Sequence, residues 1–404
     1  MKTLRLSPER PSIRLLRLKE TGTVPLAFTC RQVASGQPRV NGKYVFEPEL
    51  THPFRFNAVV DFAEFLVSYR AERSYRMVRT WFERADVGHS VYVKGPKEQL
   101  NHWGRNFLVR IQEPDLQKLK DVVRAALLKH HDLAGDIAFH EIEVSADAYP
   151  RPPSGDECQR MLAAMVLTYL PAASMIAGPM DRLRCYQPAP SGKGRRSQHP
   201  LDPNTVEPDS KVEPQDRAWS TFEPNPAIRL DQTFYAGAQK AEARVRLMVK
   251  TSDRKRPGSN ERLELPPHKH RARIEVTLKG TALAEAGFTA LHTVKPEAFR
   301  SLRRRYFDFR LPAFDAEEVA AFGLERRWDH ADYQDLATFM LCGVSAYDRD
   351  VRHRELWERR LVGGKHSIVP KHIAYAWMNE RIRKALDGLG RKIGLKGVSP
   401  SSSY

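Results

Sequence analysis

In the stretch FHEIEVSAD (Phe139–Asp147), Glu141, Glu143, Ser145 and Asp147 alternate with Ile142, Val144 and Ala146. A period of two marks a strand with one buried face, so the three carboxylates share the other. A second alternation, RARIEVTLK, sets Arg271, Arg273, Glu275, Thr277 and Lys279 against Ala272, Ile274, Val276 and Leu278. A third, closing Thr233–Lys250, sets Arg244, Arg246, Met248 and Lys250 against Val245, Leu247 and Val249. Oxygen ligands suit hard divalent cations such as Mg²⁺ or Mn²⁺, and a cation so held polarises a phosphate. Arginine and lysine grip the phosphate oxygens. Glu141, Glu143, Asp147 and Glu275 are therefore the candidate metal ligands. Arg244, Arg246, Lys250, Arg271 and Arg273 are the candidate contacts for phosphates, such as those of a nucleic-acid backbone, on what the alternation reads as an exposed face.

Spacing limits which acids can share an ion. Side chains two apart on one strand face are separated by roughly 7 Å, and four apart by about 13 Å. Glu143 can share a cation with Glu141 or Glu275, whereas sharing with Asp147 requires a bulge or strand end near Ala146. The alternative is an acidic face paired with arginines of adjacent strands, and it stays open at this point. His268-Lys269-His270 has the spacing of a His-hydrophobe-His metal pair. Its central lysine and the preceding Pro266-Pro267 favour an exposed turn instead.

The 404 residues suffice for two or three domains, and 41% hydrophobic residues suffice for their cores. A net charge of +17 favours a polyanionic partner, nucleic acid before membrane, over a merely solvated basic surface. Cys30, Cys158, Cys185 and Cys342 show no CxxC spacing, which argues against a zinc site or a disulfide framework and fits a reducing cytosol. No apolar run approaches the roughly 18 residues of a membrane span. The first residues carry charges too closely spaced for a signal-peptide core, so the expected location is cytoplasmic.

Along the chain, a helix is expected over Ala58–Arg84, within an N-terminal helical extension at 1–85. Strands at Ser90–Lys94 and Asn106–Gln112 precede a helix opened by Glu113-Pro114-Asp115. The acidic strand then leads to a helix at about Glu157–Leu170. Residues 187–226, rich in Pro, Ser and Asp and holding Lys193-Gly194-Arg195-Arg196, read as a loop insert. Thr251–His270 is a shorter one. Beyond Gly280 the pattern turns helical, with segments near Lys295–Tyr306, Ala316–Phe322, Asp332–Leu341, Val351–Leu361 and His372–Leu389, the last stopped by Gly388 and Gly390. The expected fold is α+β, an antiparallel sheet with helices on one face at 86–280, flanked by a helical region at 281–404.

The order of these segments resembles the rolling-circle replication initiators of small Gram-positive plasmids and the related relaxases of integrative conjugative elements. SVYVKGPKEQLNHWGRNFLVRIQEPD (Ser90–Asp115) resembles their strand, Trp-containing turn, second strand and N/E-P helix start. EIEVSAD resembles their acid-x-x-x-Asp strand, with Glu143 and Asp147 at the acidic positions. TFYAGAQKAEARVRLMVK resembles their Y-x-G … R-I-Y-x-K segment, and RARIEVTLKG their R-x-E strand, with Arg273 and Glu275. The match spans about Ser90–Gly280.

The resemblance implies strand nicking at an origin. A tyrosine becomes joined to the 5′ phosphate and leaves a free 3′-OH, with a divalent ion held by some of Glu143, Asp147 and Glu275. Arg246, Lys250 and Arg273 would be its basic partners. At the position of the family's nucleophile this chain has Met248, whose thioether cannot attack phosphorus. Either Tyr235 or Tyr149 takes the role, or a metal-activated water cleaves the strand, or the chain binds DNA without nicking it. In the last case it is an origin-binding or regulatory factor whose contacts come from the C-terminal third, with His372–Leu389 as one helix of a winged helix. Origin DNA, double- and single-stranded, is the expected partner, with a host helicase and a second copy of the chain as further candidates and no membrane. The lack of RNP-like aromatic strand motifs argues against an RNA-binding module.

Overall fold

The computed structural model describes residues 6–7, 10–16, 23–94, 103–129, 133–172, 175, 185–186, 233–237, 241–255, 262–323, 334–348, 351 and 371–394. A small antiparallel sheet comes first, built in order from β1 (Leu6–Ser7), β2 (Arg10–Leu16), β3 (Thr23–Gln32) and β4 (Tyr44–Pro48). The main sheet takes β5 (Phe54–Ser74), β6 (Ser90–Lys94), β7 (Trp103–Gln112), β8 (Ala138–Pro150), β9 (Cys185–Tyr186), β10 (Phe234–Ala236), β11 (Ala243–Lys250) and β14 (Arg271–Lys279). Their order across the sheet is β6-β7-β5-β8-β14-β11-β10-β9, and the pairs are antiparallel. Between β11 and β14 the short insert folds as a ribbon of β12 (Ser252–Lys255) and β13 (Arg262–Glu264), followed by a 3-10 turn at Pro267–Lys269. The fold is α+β with a large antiparallel sheet, as the alternation led one to expect.

The helix expected over Ala58–Arg84 is a strand as far as Ser74, and only Tyr75–Arg84 (α1) is helical. Nor is the N-terminal part a helical extension, since β1 to β4 form a sheet of their own. The sequence FRFNAVVDFAEFLVSYRAERS is rich in aromatic and β-branched residues, which favour the pleated state. Clean alternation is lost because β5 is central, pairing with β8 on one side and β7 on the other and burying side chains on both faces. α1 starts where Ser74 can cap it, its hydroxyl accepting the Arg76 N–H at 3.3 Å.

The apolar face of the sheet is the main core: Ile142, Val144 and Ala146 of β8, Ala272, Ile274 and Val276 of β14, and Val245 and Leu247 of β11 are all buried. Helix α3 (Gly155–Thr168) packs on β8, β11 and β14, buries Met161, Leu162 and Met165, and brings the Cys158 thiol against the backbone of Ala272. Ser154 caps α3 through the Glu157 N–H. Further helices among the described residues include α2 (Leu116–Lys129), α4 (Gly280–Glu285), α5 (Pro296–Tyr306), α6 (Ala316–Gly323), α7 (Gln334–Cys342) and α8 (Ala376–Gly394).

The C-terminal helix departs from expectation at both ends. His372–Ala374 is strand β16, paired with β15 (Arg310–Pro312), and α8 runs on through Gly388 and Gly390. Gly390 permits a close crossing rather than stopping the helix, since a Cβ there would lie 2.9 Å from the carbonyl oxygen of Pro296. α8 packs on α5 and β5, so its apolar face is committed to this unit rather than to a separate winged helix. The 187–226 insert, with its Lys193–Arg196 cluster, and the helix expected after Val351 lie outside the described residues. Among the described residues, no helix is long and apolar enough to cross a membrane.

Candidate metal centre

Register places the chemistry. On β14, Glu275 pairs with Arg246 of β11 and with Ser145 of β8, while Thr277 pairs with Glu143. Glu143 and Glu275 are thus diagonal neighbours on one face of adjacent strands, a spacing that long side chains bridge easily. A third carboxylate arrives from β5. The β5–β8 register breaks between Val60 and Phe62, and the extra residue in that bulge is Asp61. Carboxylate oxygens of Asp61, Glu143 and Glu275 all lie within 4.8 Å of one another.

Two arginines tie the cluster together. Arg273 is 2% exposed and chelates Asp147, Nε to Oδ1 at 2.5 Å and Nη2 to Oδ2 at 2.7 Å. Its Nη1 reaches Asp61 Oδ1 at 2.8 Å and Glu275 Oε1 at 3.3 Å. Arg246 Nη2 donates to Glu143 Oε2 at 2.7 Å and lies 2.5 Å from Glu275 Oε2. The Thr277 hydroxyl donates to the same Glu143 oxygen at 2.7 Å, and the Ser145 hydroxyl donates to Asp61.

Burial dominates the electrostatics. Desolvation pushes the Asp61 carboxyl up to about 6 despite the Arg273 guanidinium beside it, with Glu275 and Asp147 adding repulsion. Glu143 is raised by burial against the pull of Arg246. Glu275 is raised by burial and then by the charge of Glu143. In all three, burial outweighs the pull of the neighbouring guanidinium groups.

The structure sorts the expected ligands into two groups. Glu143 and Glu275 come together, and Asp61 joins them. Glu141 instead accepts a 2.7 Å bond from Arg110 of β7, and Asp147 is occupied by Arg273 and by Arg271, whose Nε lies 3.1 Å away. As the spacing argued, Asp147 stands apart from the Glu143 cluster. The face read as exposed is largely buried: Arg271 and Arg273 turn into the carboxylate layer, where acids of β5 and β8 neutralise them, and neither presents its charge to solvent. Arg244, Arg246 and Lys250 keep partial exposure. His268 is exposed, His270 bonds the Leu265 carbonyl at 2.7 Å, and neither belongs to a cluster of metal-capable side chains among the described residues.

The two tyrosines differ in setting. Tyr149 lines a cavity of about 320 Å³ together with Asp61, Asp147, Lys250, Arg271 and Lys392 of α8. Its hydroxyl donates to Asp147 Oδ2 at 3.3 Å, and burial followed by the Asp147 charge raises its pKa. Tyr235 pairs with Arg246 across β10–β11, and the Arg244 guanidinium lies 4.2 Å from the centre of its ring. Met248 is half-buried opposite Arg273.

The donor set suits a hard divalent cation: three carboxylates from three strands, each offering an oxygen. Glu275 Oε2 is buried and makes no hydrogen bond of acceptable geometry, its neighbouring cation being Arg246 Nη2 at 2.5 Å.

No protein-family model matches this chain, and no curated protein does. Among solved structures, a rolling circle replication initiator protein from Geobacillus stearothermophilus is similar with a TM-score of 0.27 and 9% identity, over 72% of this chain and 99% of that one. A likeness that loose assigns no chemistry.

Proposed function

We propose that this chain is a DNA-binding protein of the replication-initiator type that breaks one DNA strand at the polar face of its sheet. The observation that carries this reading is the meeting of Asp61, Glu143 and Glu275 within 4.8 Å beneath a rim of partly exposed cations. A divalent cation bound by these three would polarise a phosphoryl oxygen and offset the charge that develops on it. Arg246 and Lys250 neutralise the phosphate from the solvent side. Arg273 makes no phosphate contact; it positions Asp61 and Asp147 by holding both. On this reading the working unit begins at β5 rather than at residue 86, because Asp61 belongs to it.

Tyr149 is the phenol we assign to attack. It shares a cavity with Asp61 and Lys250, and Asp147 is within reach of its proton. As the Tyr149 oxygen bonds to phosphorus, its proton passes to Asp147 and the bond to the 3′ oxygen breaks, that oxygen taking a proton from water. One observation favours a second reading, DNA binding without cleavage: Met248, not a tyrosine, stands on the polar face opposite Arg273.

The test uses a supercoiled plasmid carrying the DNA that borders the coding sequence, with Mn²⁺ or Mg²⁺. Relaxation that leaves protein on the 5′ end, lost in Tyr149→Phe and kept in Tyr235→Phe, supports nicking by Tyr149. Binding without relaxation by the unaltered chain supports the second reading. A helicase or a second copy of the chain would be sought only once DNA binding is measured.

A further inference from the structure

Arg246 stands where the cation would go. A single nitrogen, Nη2, bridges Glu143 Oε2 at 2.7 Å and Glu275 Oε2 at 2.5 Å, two of the three clustered carboxylates. Metal–oxygen distances for Mg²⁺ and Ca²⁺ run from roughly 2.0 to 2.6 Å, so an ion held by the same two oxygens would overlap that nitrogen. The two positive charges would also repel at a separation of about 3 Å in a poorly solvated setting. Ion and guanidinium cannot both occupy the site.

The two arginines of the cluster are not equally able to leave. Arg273 is 2% exposed and fixed by a bidentate grip on Asp147. The Arg246 side chain is 30% exposed and holds Glu143 and Glu275 through one nitrogen, while its buried Nε makes no hydrogen bond. Its strand, β11, lies beside β14 on the side away from β8, so the side chain reaches the carboxylates across Glu275. Its two ion pairs do not include Asp147, the residue that Arg273 grips.

We infer that Arg246 is a resident cation that closes the metal centre: it neutralises Glu143 and Glu275 when no ion is present, gives way when a divalent ion enters, and then binds a phosphate of the incoming strand. This rests on the metal reading of the site given above. Without Arg246, Glu143 would lose its ion pair and Glu275 would keep only the 3.3 Å contact with Arg273, a costly state for buried carboxylates, which is why an empty centre needs an occupant. Because a phosphate draws Arg246 off the carboxylates, DNA and the ion favour each other's binding, a coupling reciprocal by necessity.

The experiment measures Mn²⁺ affinity by isothermal titration on the full chain, with and without a short single-stranded oligonucleotide. The variants are Arg246→Gln, Arg246→Lys and Glu275→Gln. Arg246→Gln should bind Mn²⁺ at least about tenfold tighter than the unaltered chain, and the oligonucleotide should strengthen Mn²⁺ binding to the unaltered chain but not to Arg246→Gln. Arg246→Lys, which keeps a charge and protects the fold, should fall between the two and retain part of the enhancement. Unchanged or weaker Mn²⁺ binding in both Arg246 variants, with loss in Glu275→Gln, would overturn the displacement and leave the metal centre standing. Absence of Mn²⁺ binding in every form would overturn both.

Discussion

Among the described residues, the polar face of the sheet carries two neighbouring clusters of three metal-capable side chains, and the two handle charge in opposite ways. The inner cluster is Asp61, Glu143 and Glu275; the outer cluster is Glu64, His140 and Glu141, whose ligand atoms likewise lie within 4.8 Å of one another. Outside, Glu64 accepts from Arg110 at 3.0 Å and Lys94 at 3.3 Å, has His140 at 3.0 Å, and Arg110 also reaches Glu141. Burial alone would lift the Glu64 carboxyl, but Arg110 and Lys94 outweigh it and leave it below the usual range. Inside, burial wins, and Asp61, Glu143 and Glu275 are all raised. Closeness of acids therefore does not make a metal centre. The difference lies in which influence prevails, burial at Asp61, Glu143 and Glu275 and the neighbouring cations at Glu64.

The sharpest way to break this contrast is to remove Asp147, whose partner Arg273 borders the inner cluster, and Glu141 of the outer cluster. Asp147→Ala leaves the Arg273 guanidinium buried without its bidentate partner, and should cost about 3–5 kcal/mol in a urea or guanidinium titration. Glu141→Ala leaves Arg110, which is 28% exposed, still paired with Glu64 and reachable by water. It should cost no more than about 1 kcal/mol. Equal losses would mean that the inner pair is no more desolvated than the outer one. Next in size comes metal affinity. Loss of an outer hydrogen-bond partner of a ligand typically costs 10–100-fold in affinity, so losing a proposed ligand in Glu275→Gln or Asp61→Asn should weaken Mn²⁺ binding by at least about 100-fold. Glu64→Gln should leave that affinity within about threefold, being outside the centre. A titration in which Glu64→Gln matched Asp61→Asn would transfer the site to the outer cluster.

Asp61 marks what the sequence could and could not show. Period-two alternation gave β8, β11 and β14 directly, and with them the shared face of Glu143 and Glu275, because each strand keeps one apolar face on the core under α3. β5 defeats that reasoning. A strand flanked on both sides and buried on both faces has no alternation to display, and its aromatic run also fits a helix. The carboxylate that completes the cluster lies in that run, at a bulge that only pairing with β8 creates. The one available signal was a lone aspartate inside FNAVVDFAEF, too polar for a core position without a purpose. The burial of Arg271 and Arg273 was equally invisible: a polar strand face looks solvated until the acids of the neighbouring strands are known to cover it. Gly388 and Gly390 misled for a related reason, since a glycine that ends a helix and one that lets two helices touch are the same letter.

The smallest effect separates the two clusters by the sign of their pH dependence. The Glu64 carboxyl titrates below its ordinary value of 4.5 in the folded chain, so its contribution to stability is complete above that value. As pH falls through the lowered folded pKa, the unfolded chain takes up the proton first, and the contribution disappears. The stability difference between the unaltered chain and Glu64→Gln should therefore be constant above about pH 5 and shrink towards zero below it. Denaturant titrations at a series of pH values without metal would measure it. A difference that grew on acidification would mean that burial, not Arg110 and Lys94, governs Glu64. Burial would then prevail in both clusters, and the contrast between them would fail.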